Sequence, residues 1–530
     1  MTRATNRKGA MLARTMVALL LFAAGYGIAN RHQLTHDVAY RLAVGDWRSA
    51  AAAFFFLAVQ AAALFAALWL MPRRWAAAVL TLAGASILVN IGYSDLVPEP
   101  VDGAILAWMF AEARQAGAAL GAFGAQIAGS AMQAALAVAL FAGARIAMRR
   151  TSAPRWTRRN ALAAAALLVA PSLIYRTAPL WPEGAERNIY GLAWDLATAP
   201  PPPARAAPDI ALDAAQPRPD HIIWLVDESV AAEPFARLIS PQLKDVRHID
   251  FGVAAAMGHC SAPAQVALRS GVDVRRVDAD TDLRRTPSIW GYARGAGYRT
   301  ALIDGQTSGA PQNLLLAPEL ALIEDNRAMA AGIDTDRAIA DALNHRMRGE
   351  GRSFTLAVLR GVHFQYRDHY PAGALPADAP LTEQYATALR WSKRDFFARL
   401  LDGVDRERVA IVYTSDHGQN LREGALPHCS RAPVADEFRV PLIAFLPDAL
   451  AARYAVADPR GGRSASQIFP ATLGWMGYDA NAAAARYDND LTMPTARYVR
   501  FGRSVIPQGD SATIRVIASD AFPGSDTAAP

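Results

Sequence analysis

Cysteine is almost missing from this chain. Two residues of 530, Cys260 and Cys429, exclude a Cys-based zinc ribbon and a disulfide-rich scaffold. Charge is missing from a second place. The apolar blocks 49–71, 75–93 and 120–143 hold no Asp, Glu, Lys or Arg. No charged pathway runs through them, which argues against a transporter. The formal net charge of +6 could point to nucleic acid. Its placement argues against that partner, because many basic residues sit in short segments between apolar blocks.

What is present is apolar chain, unevenly spread. Hydrophobic residues make up 52% of the sequence, and their excess lies before about residue 178. Five blocks run over roughly 11–29, 49–71, 75–93, 120–143 and 160–177. Each is near the ~20 residues a helix needs to cross a bilayer. Basic residues precede the first block, as in a signal peptide. Four more blocks follow and no small-residue cleavage site ends it, so it reads as an anchor. Arg3, Arg7, Lys8 and Arg14 lie at its start, and Arg73 and Arg74 separate the second and third blocks. Arg145, Arg149, Arg150, Arg155, Arg158 and Arg159 separate the fourth and fifth. Between the third and fourth lie Asp95, Glu99, Asp102 and Glu112 instead. Cytoplasmic loops carry the excess of Lys and Arg, so the N-terminus is inside. Five crossings then put everything after about residue 178 outside. Arg31, Arg41 and Arg48 on the outer side run against that count.

Residues 98–118 are apolar but interrupted by Asp102, Glu112 and Arg114. Those charges are costly in lipid, so the segment reads as an amphipathic helix at the outer surface rather than a sixth span. Residues 1–177 are thus expected to be a transmembrane region. Residues 178–219, with Pro200 to Pro203 in a row, form a Pro- and Ala-rich linker that behaves as a stiff spacer. From 220 to 530 the pattern changes. HIIWLV (221–226), YRTALID (298–304), FTLAVL (354–359), RVAIVYTSD (408–416) and VPLIAFLP (440–447) read as buried strands, with helical stretches such as 382–402 between them. That alternation predicts an α/β domain with a largely parallel sheet. Polar groups collect at the C-terminal ends of the strands, the edge where such sheets bind ligands.

Four of those places supply a consistent set. Glu228 follows the first strand, Ser261 lies in GHCSAPAQVALRSG (258–271), and Asp416 and His417 end the YTSDH segment. Two carboxylates, an imidazole and a hydroxyl oxygen would fill a tetrahedral zinc site. A metal-bound hydroxyl has a lowered pKa, which makes serine a nucleophile at neutral pH. His363 and His428 could then meet the phosphate or the leaving group. Each piece has a plainer reading. Asp-His-Gly is often a polar turn, Glu228 could face a helix dipole, Ser261 could be a helix cap, and His363 could be an ordinary core or surface histidine. Their joint occurrence at strand ends favours the site.

The order of these segments resembles the alkaline phosphatase/sulfatase superfamily, and within it the membrane-bound phosphoethanolamine transferases. Ser261-Ala-Pro263-Ala-Gln265, with Leu268 and Ser270-Gly271, is similar to the sulfatase signature that starts at the nucleophile. VDES (226–229), YTSDHG (413–418), GVHFQYRDHYP (361–371) and PHCSRAP (427–433) resemble the transferases' metal-binding and substrate-side segments. The resemblance implies metal ligands at Glu228, Ser261, Asp416 and His417, and substrate-side histidines at His363 and His428. It implies one zinc ion, with a second divalent metal left open. It also implies five membrane helices joined to an outer sulfatase-like domain. DGQTSG (304–309) is also similar to a family segment, without an assigned role.

This chain departs from the pattern in places. The family usually has threonine where Ser261 stands, and glycine where Asp227 stands. Sulfatases often carry an acidic pair at that turn, which makes Asp227 a further candidate ligand. The formylglycine motif normally has Arg where this chain has Gln265, so an unmodified serine and phosphoryl chemistry are expected. The family's several disulfides are missing. His259-Cys260-Ser261 and His428-Cys429-Ser430 repeat a tripeptide, and one Cys260–Cys429 disulfide outside the cytoplasm is expected. The plain alternative is two buried thiols.

The expectation is an integral protein of the inner membrane with its catalytic domain in the periplasm. It would move phosphoethanolamine from a membrane phospholipid, through a phospho-serine, to a lipid or glycan acceptor. A phosphoglycerol transferase, a sulfatase or phosphatase, and a non-enzymatic sensor or scaffold are the alternatives. A scaffold has no need of a complete metal set.

Overall fold

The structure, a computed structural model, describes residues 2–43, 45–96, 101, 116–149, 156–176, 183–198, 202–213, 215–278, 281–306, 315–422, 425–429, 433–454, 462–501, 516–519 and 522–523. The chain divides into two compact units, Met1–Ala199 and Pro200–Pro530.

The first unit is helical. Its long helices are α1 (Thr2–Ala29), α2 (Trp47–Leu70), α3 (Arg73–Leu96), α4 (Ala116–Arg149) and α5 (Arg158–Arg176). Among the described residues, four stretches are long and apolar enough to cross a membrane: 9–29, 47–70, 73–95 and 124–149. The fifth expected block does form a helix. It is 19 residues long, with Arg158, Arg159 and Arg176 at its ends and Pro171 inside, and falls short of the other four. The expected surface helix at 98–118 lies outside the described residues, apart from Val101 and residues 116–118. Local chemistry sets the helix ends. Asp46 caps α2 by accepting from the Ser49 amide at 3.2 Å. Arg145 donates to the Leu68 and Met71 carbonyls at the other end, at 3.0 and 2.8 Å, a favourable place for a cation.

Residues 188–198 of the expected spacer form a helix, α6 (Asn188–Thr198). Residues 202–213 are tied down on the second unit. Arg205 pairs with Glu319, the Tyr292 hydroxyl donates to Asp209 at 2.7 Å, and the Asp213 amide donates to the Gly477 carbonyl at 2.8 Å. The Pro-rich composition rules out helix here. It leaves the extended backbone free to bond to the domain beside it.

The second unit is built on an eight-stranded sheet among the described residues, in the order β4-β3-β5-β1-β6-β7-β2-β8. The strands are β1 (His221–Asp227), β2 (Ile249–Ala255), β3 (Arg299–Asp304), β4 (Asp325–Ala328), β5 (Ser353–Val358), β6 (Val409–Ser415), β7 (Arg439–Phe445) and β8 (Arg463–Ser464). Only β7 runs against the rest, antiparallel to both β6 and β2, so the sheet is largely parallel. Central strands β1, β5 and β6 are buried along their whole length, as expected of strands covered on both faces. Successive side chains alternate between two cores. Ile222, Trp224 and Val226 face one, and Ile223 and Leu225 the other. Helices α7 (Ser261–Arg269), α8 (Thr335–Met347) and α9 (Leu381–Lys393) follow β2, β4 and β5.

Candidate active site

The sheet brings the first residues together. Strands β1 and β6 are parallel neighbours, with Asp227 opposite Ser415. Each strand ends in a polar turn, so Glu228 is set beside Asp416 and His417. Glu228 and His417 are fully buried and Asp416 nearly so. Ser229 has a left-handed backbone, φ +61°, which costs a non-glycine residue free energy. Three bonds hold it. Its amide donates to Asp416 Oδ1 at 3.1 Å, its hydroxyl donates to Glu228 Oε1 at 2.8 Å, and its carbonyl accepts from the Tyr385 hydroxyl at 2.8 Å.

Ser261 opens helix α7. Its Oγ donates to Glu228 Oε1 at 3.1 Å and lies 3.2 Å from His417 Nε2. The four expected ligands Glu228, Ser261, Asp416 and His417 therefore meet at one point. His417 Nδ1 lies 2.8 Å from the Gly418 carbonyl. A carbonyl only accepts, so Nδ1 carries a proton and Nε2 is the nitrogen turned to the cluster. That nitrogen is 3.5 Å from Glu228 Oε1 and 3.9 Å from Asp416 Oδ2. Asp416 Oδ2 is buried without a hydrogen-bond partner. Ligand atoms of Glu228, Asp416 and His417 lie within 4.8 Å of one another. Converging acceptors with an orphaned oxygen fit a cation. The same crowding shifts the acids. Burial and then the Glu228 charge push the Asp416 carboxyl up to about 7, and burial raises Glu228.

His428 and His363 continue the row. The His428 ring lies 4.6 Å from that of His417, and the His363 ring 5.6 Å from that of His428. Burial lowers the pKa of both, and for His428 the neighbouring histidines add to it. Both are therefore neutral imidazoles near pH 7. Gln419 orients His428. With its amide oxygen accepting from the Tyr366 hydroxyl at 2.7 Å, its nitrogen donates to His428 Nδ1 at 3.2 Å. The proton of His428 is then on Nε2. Cys429 is joined to Cys260 by a disulfide across 169 residues of chain, next to both His428 and Ser261.

Two residues, Gln306 and Gln419, were given no role by the sequence, and a third, Asp227, departs from its expected one. Gln306, in the DGQ turn after β3, donates to Glu228 Oε2 at 2.5 Å. Its place at a strand end was the available signal. Gln419 follows Asp416-His417-Gly418 and carried none. Asp227, a candidate ligand by its position, is turned away from the cluster. Its Oδ2 pairs with Lys393 Nζ at 2.7 Å and accepts from the Tyr413 hydroxyl at 2.5 Å.

Residues 254–478 match the Sulfatase family model. The matched stretch lies within the second unit. The match begins within β2, ahead of Ser261, and runs past β8, so it contains Ser261, His363, Asp416, His417 and His428 of the candidate site. No curated protein matches the chain. Among solved structures it is similar to the C-terminal periplasmic domain of EcEptC from Escherichia coli, at 15% identity, 61% of this chain, 99% of that chain and a TM-score of 0.46. The same domain in complex with Zn gives 15%, 61%, 99% and 0.47. The integral membrane lipooligosaccharide phosphoethanolamine transferase A from Neisseria meningitidis gives 14%, 66%, 75% and 0.44.

Proposed function

We propose that this chain is a zinc-dependent transferase that moves phosphoethanolamine from a membrane phospholipid to a lipid or glycan acceptor, with Ser261 as the nucleophile. The observation that carries the reading is the position of Ser261 Oγ, 3.1 Å from Glu228 Oε1 and 3.2 Å from Nε2 of His417. Glu228, Asp416, His417 and the Ser261 hydroxyl would hold one zinc ion. Bound there, zinc supplies Lewis-acid chemistry, lowering a hydroxyl pKa and polarising a phosphoryl oxygen. Ser261 Oγ attacks the donor phosphorus, and the bond to the diacylglycerol oxygen breaks. The phosphoethanolamine ester on Ser261 then passes to an acceptor hydroxyl or phosphate, which restores the serine. His428 and His363, neutral and half-buried, donate hydrogen bonds to phosphoryl or leaving oxygens. The N-terminus of α7 favours an anion at Ser261. The apolar helices of the first unit suit a lipid donor and an inner-membrane location with this domain in the periplasm.

The Sulfatase match favours a second reading, hydrolysis of a sulfate or phosphate ester. Gln265 speaks for an unmodified serine and so against sulfate chemistry. Mass spectrometry of lipids and glycans from cells with and without the gene separates the readings. An added phosphoethanolamine mass that disappears with Ser261→Ala is expected. No added mass would sink the transferase reading, and a phosphoglycerol mass would sink phosphoethanolamine as the group moved.

A further inference from the structure

Beneath the candidate site lies a buried charge cluster that the proposed chemistry does not use. Lys393, the last residue of α9, is fully buried. Its Nζ lies 2.7 Å from Asp227 Oδ2 and 2.8 Å from Asp336 Oδ2, and donates to Ser392 Oγ at 2.8 Å. Asp227 and Asp336 are 0% and 4% exposed. Taking three charges out of water is costly unless each is paired, and here the pairing joins two separate parts of the site.

Each carboxylate grips an active-site turn by its backbone. Asp227 Oδ1 accepts from the Glu228 amide at 3.0 Å. Asp336, at the start of α8, accepts from the Arg360 amide at 2.7 Å and the Gly361 amide at 3.2 Å. Those amides begin the loop that carries His363. The two turns also touch directly. The Val362 amide donates to the Glu228 carbonyl at 3.0 Å. A Cβ on Gly361 would stand 2.4 Å from that carbonyl. We propose that Lys393 is a positioning residue: by clamping Asp227 to Asp336 it fixes the spacing between the Glu228 turn and the His363 loop. It touches none of the candidate ligands of the metal cluster in any bond described, so it acts through the two aspartates. The proposal deepens the zinc-site reading and rests on it for its metal readout alone.

The test uses the full chain in detergent, zinc alone as probe, and three variants. K393M removes the ammonium while keeping an unbranched stem. K393M/D227N also removes one of the two carboxylates that K393M would strand. L473A opens a cavity in the core at a fully buried residue outside the site. Thermal midpoint, zinc affinity by chelator competition and amide hydrogen exchange are read on each. K393M should weaken zinc binding at least about tenfold, while L473A stays within about threefold of the parent despite a lowered midpoint. Exchange in K393M should rise in peptides covering 226–230 and 359–363 and stay unchanged in one covering 468–476. The double variant should regain midpoint and not zinc affinity. Parent-like exchange in both turns of K393M overturns the clamp, as does a zinc loss that L473A reproduces or the double variant repairs. If the parent itself binds no zinc, the metal reading fails, and the exchange data still decide the clamp.

Discussion

At the scale of single residues, the site sets one hydroxyl, the proposed nucleophile, among buried acceptors. Ser261 supplies a hydroxyl, whereas Glu228, Asp416 and His417 supply the remaining acceptors of the cluster. Ser261→Ala should therefore abolish transfer, a loss of at least about a thousandfold, as for other lost nucleophiles. It should leave zinc stoichiometry near that of the parent. Turnover at the parent rate would refute the role. Asp416 makes a different prediction. Its folded carboxyl is pushed up to about 7 from an ordinary 3.8, so metal-free folded protein holds a proton that the unfolded chain gives up. Stability conferred by that proton is complete below about pH 4 and is lost as pH rises through about 7. Metal-stripped protein should lose thermal midpoint over that window, and Asp416→Asn should flatten the curve. Zinc needs the carboxylate, so its affinity should rise over the same window. A midpoint that climbs from pH 4 to 7 in stripped protein, with the Asp416→Asn variant showing the same climb, would contradict the assignment.

Structural elements carry these residues, and two contacts between elements can be broken singly. The Cys260–Cys429 disulfide closes a 169-residue separation, which constrains the unfolded chain by roughly 5 kcal/mol on the chain-entropy model. It also ties the His428 segment to the start of α7. Cys260→Ser with Cys429→Ser should lower transfer by loosening His428, while zinc stays bound through the buried Glu228, Asp416 and His417. Equal transfer with and without the disulfide would show that His428 is placed by other contacts. Gly361 has φ +58°, and a Cβ there would meet the Glu228 carbonyl and Asp227. Gly361→Ala should cost more than about 1 kcal/mol of stability and reduce transfer by moving the His363 loop. This element scale also explains what could be read beforehand. Strands β1, β5 and β6 are unbroken apolar runs ending in polar turns, and those turns supply Glu228, His363, Asp416 and His417. Strand β2 (Ile249–Ala255) hides its character behind Gly252 and a register shift. Strand β4 is the polar edge DNRA, exposed at three of four residues. Lys393 looks like any lysine ending an amphipathic helix. Only tertiary packing brings Asp227 and Asp336 to it.

Across the whole molecule, function depends on which side of the membrane the sulfatase-like unit faces. The basic residues at the start of α1, between α2 and α3, and between α4 and α5 are cytoplasmic by the positive-inside rule. Four helical stretches satisfy the length and apolarity of a span, and α5 is shorter and bounded by arginines. The side of the second unit thus depends on α5. Five crossings place it outside, and four place it in the cytoplasm. The Cys260–Cys429 disulfide suits an oxidising compartment, and the proposed phospholipid donor, drawn from the outer leaflet, suits an outer domain. Both favour five crossings, with α5 spanning despite its length. Protease added to intact spheroplasts should then digest residues of the second unit and leave a membrane-held fragment that includes α1 to α5. A second unit protected until the cells are lysed would mean that α5 does not cross. The lipid donor would then have to come from the inner leaflet.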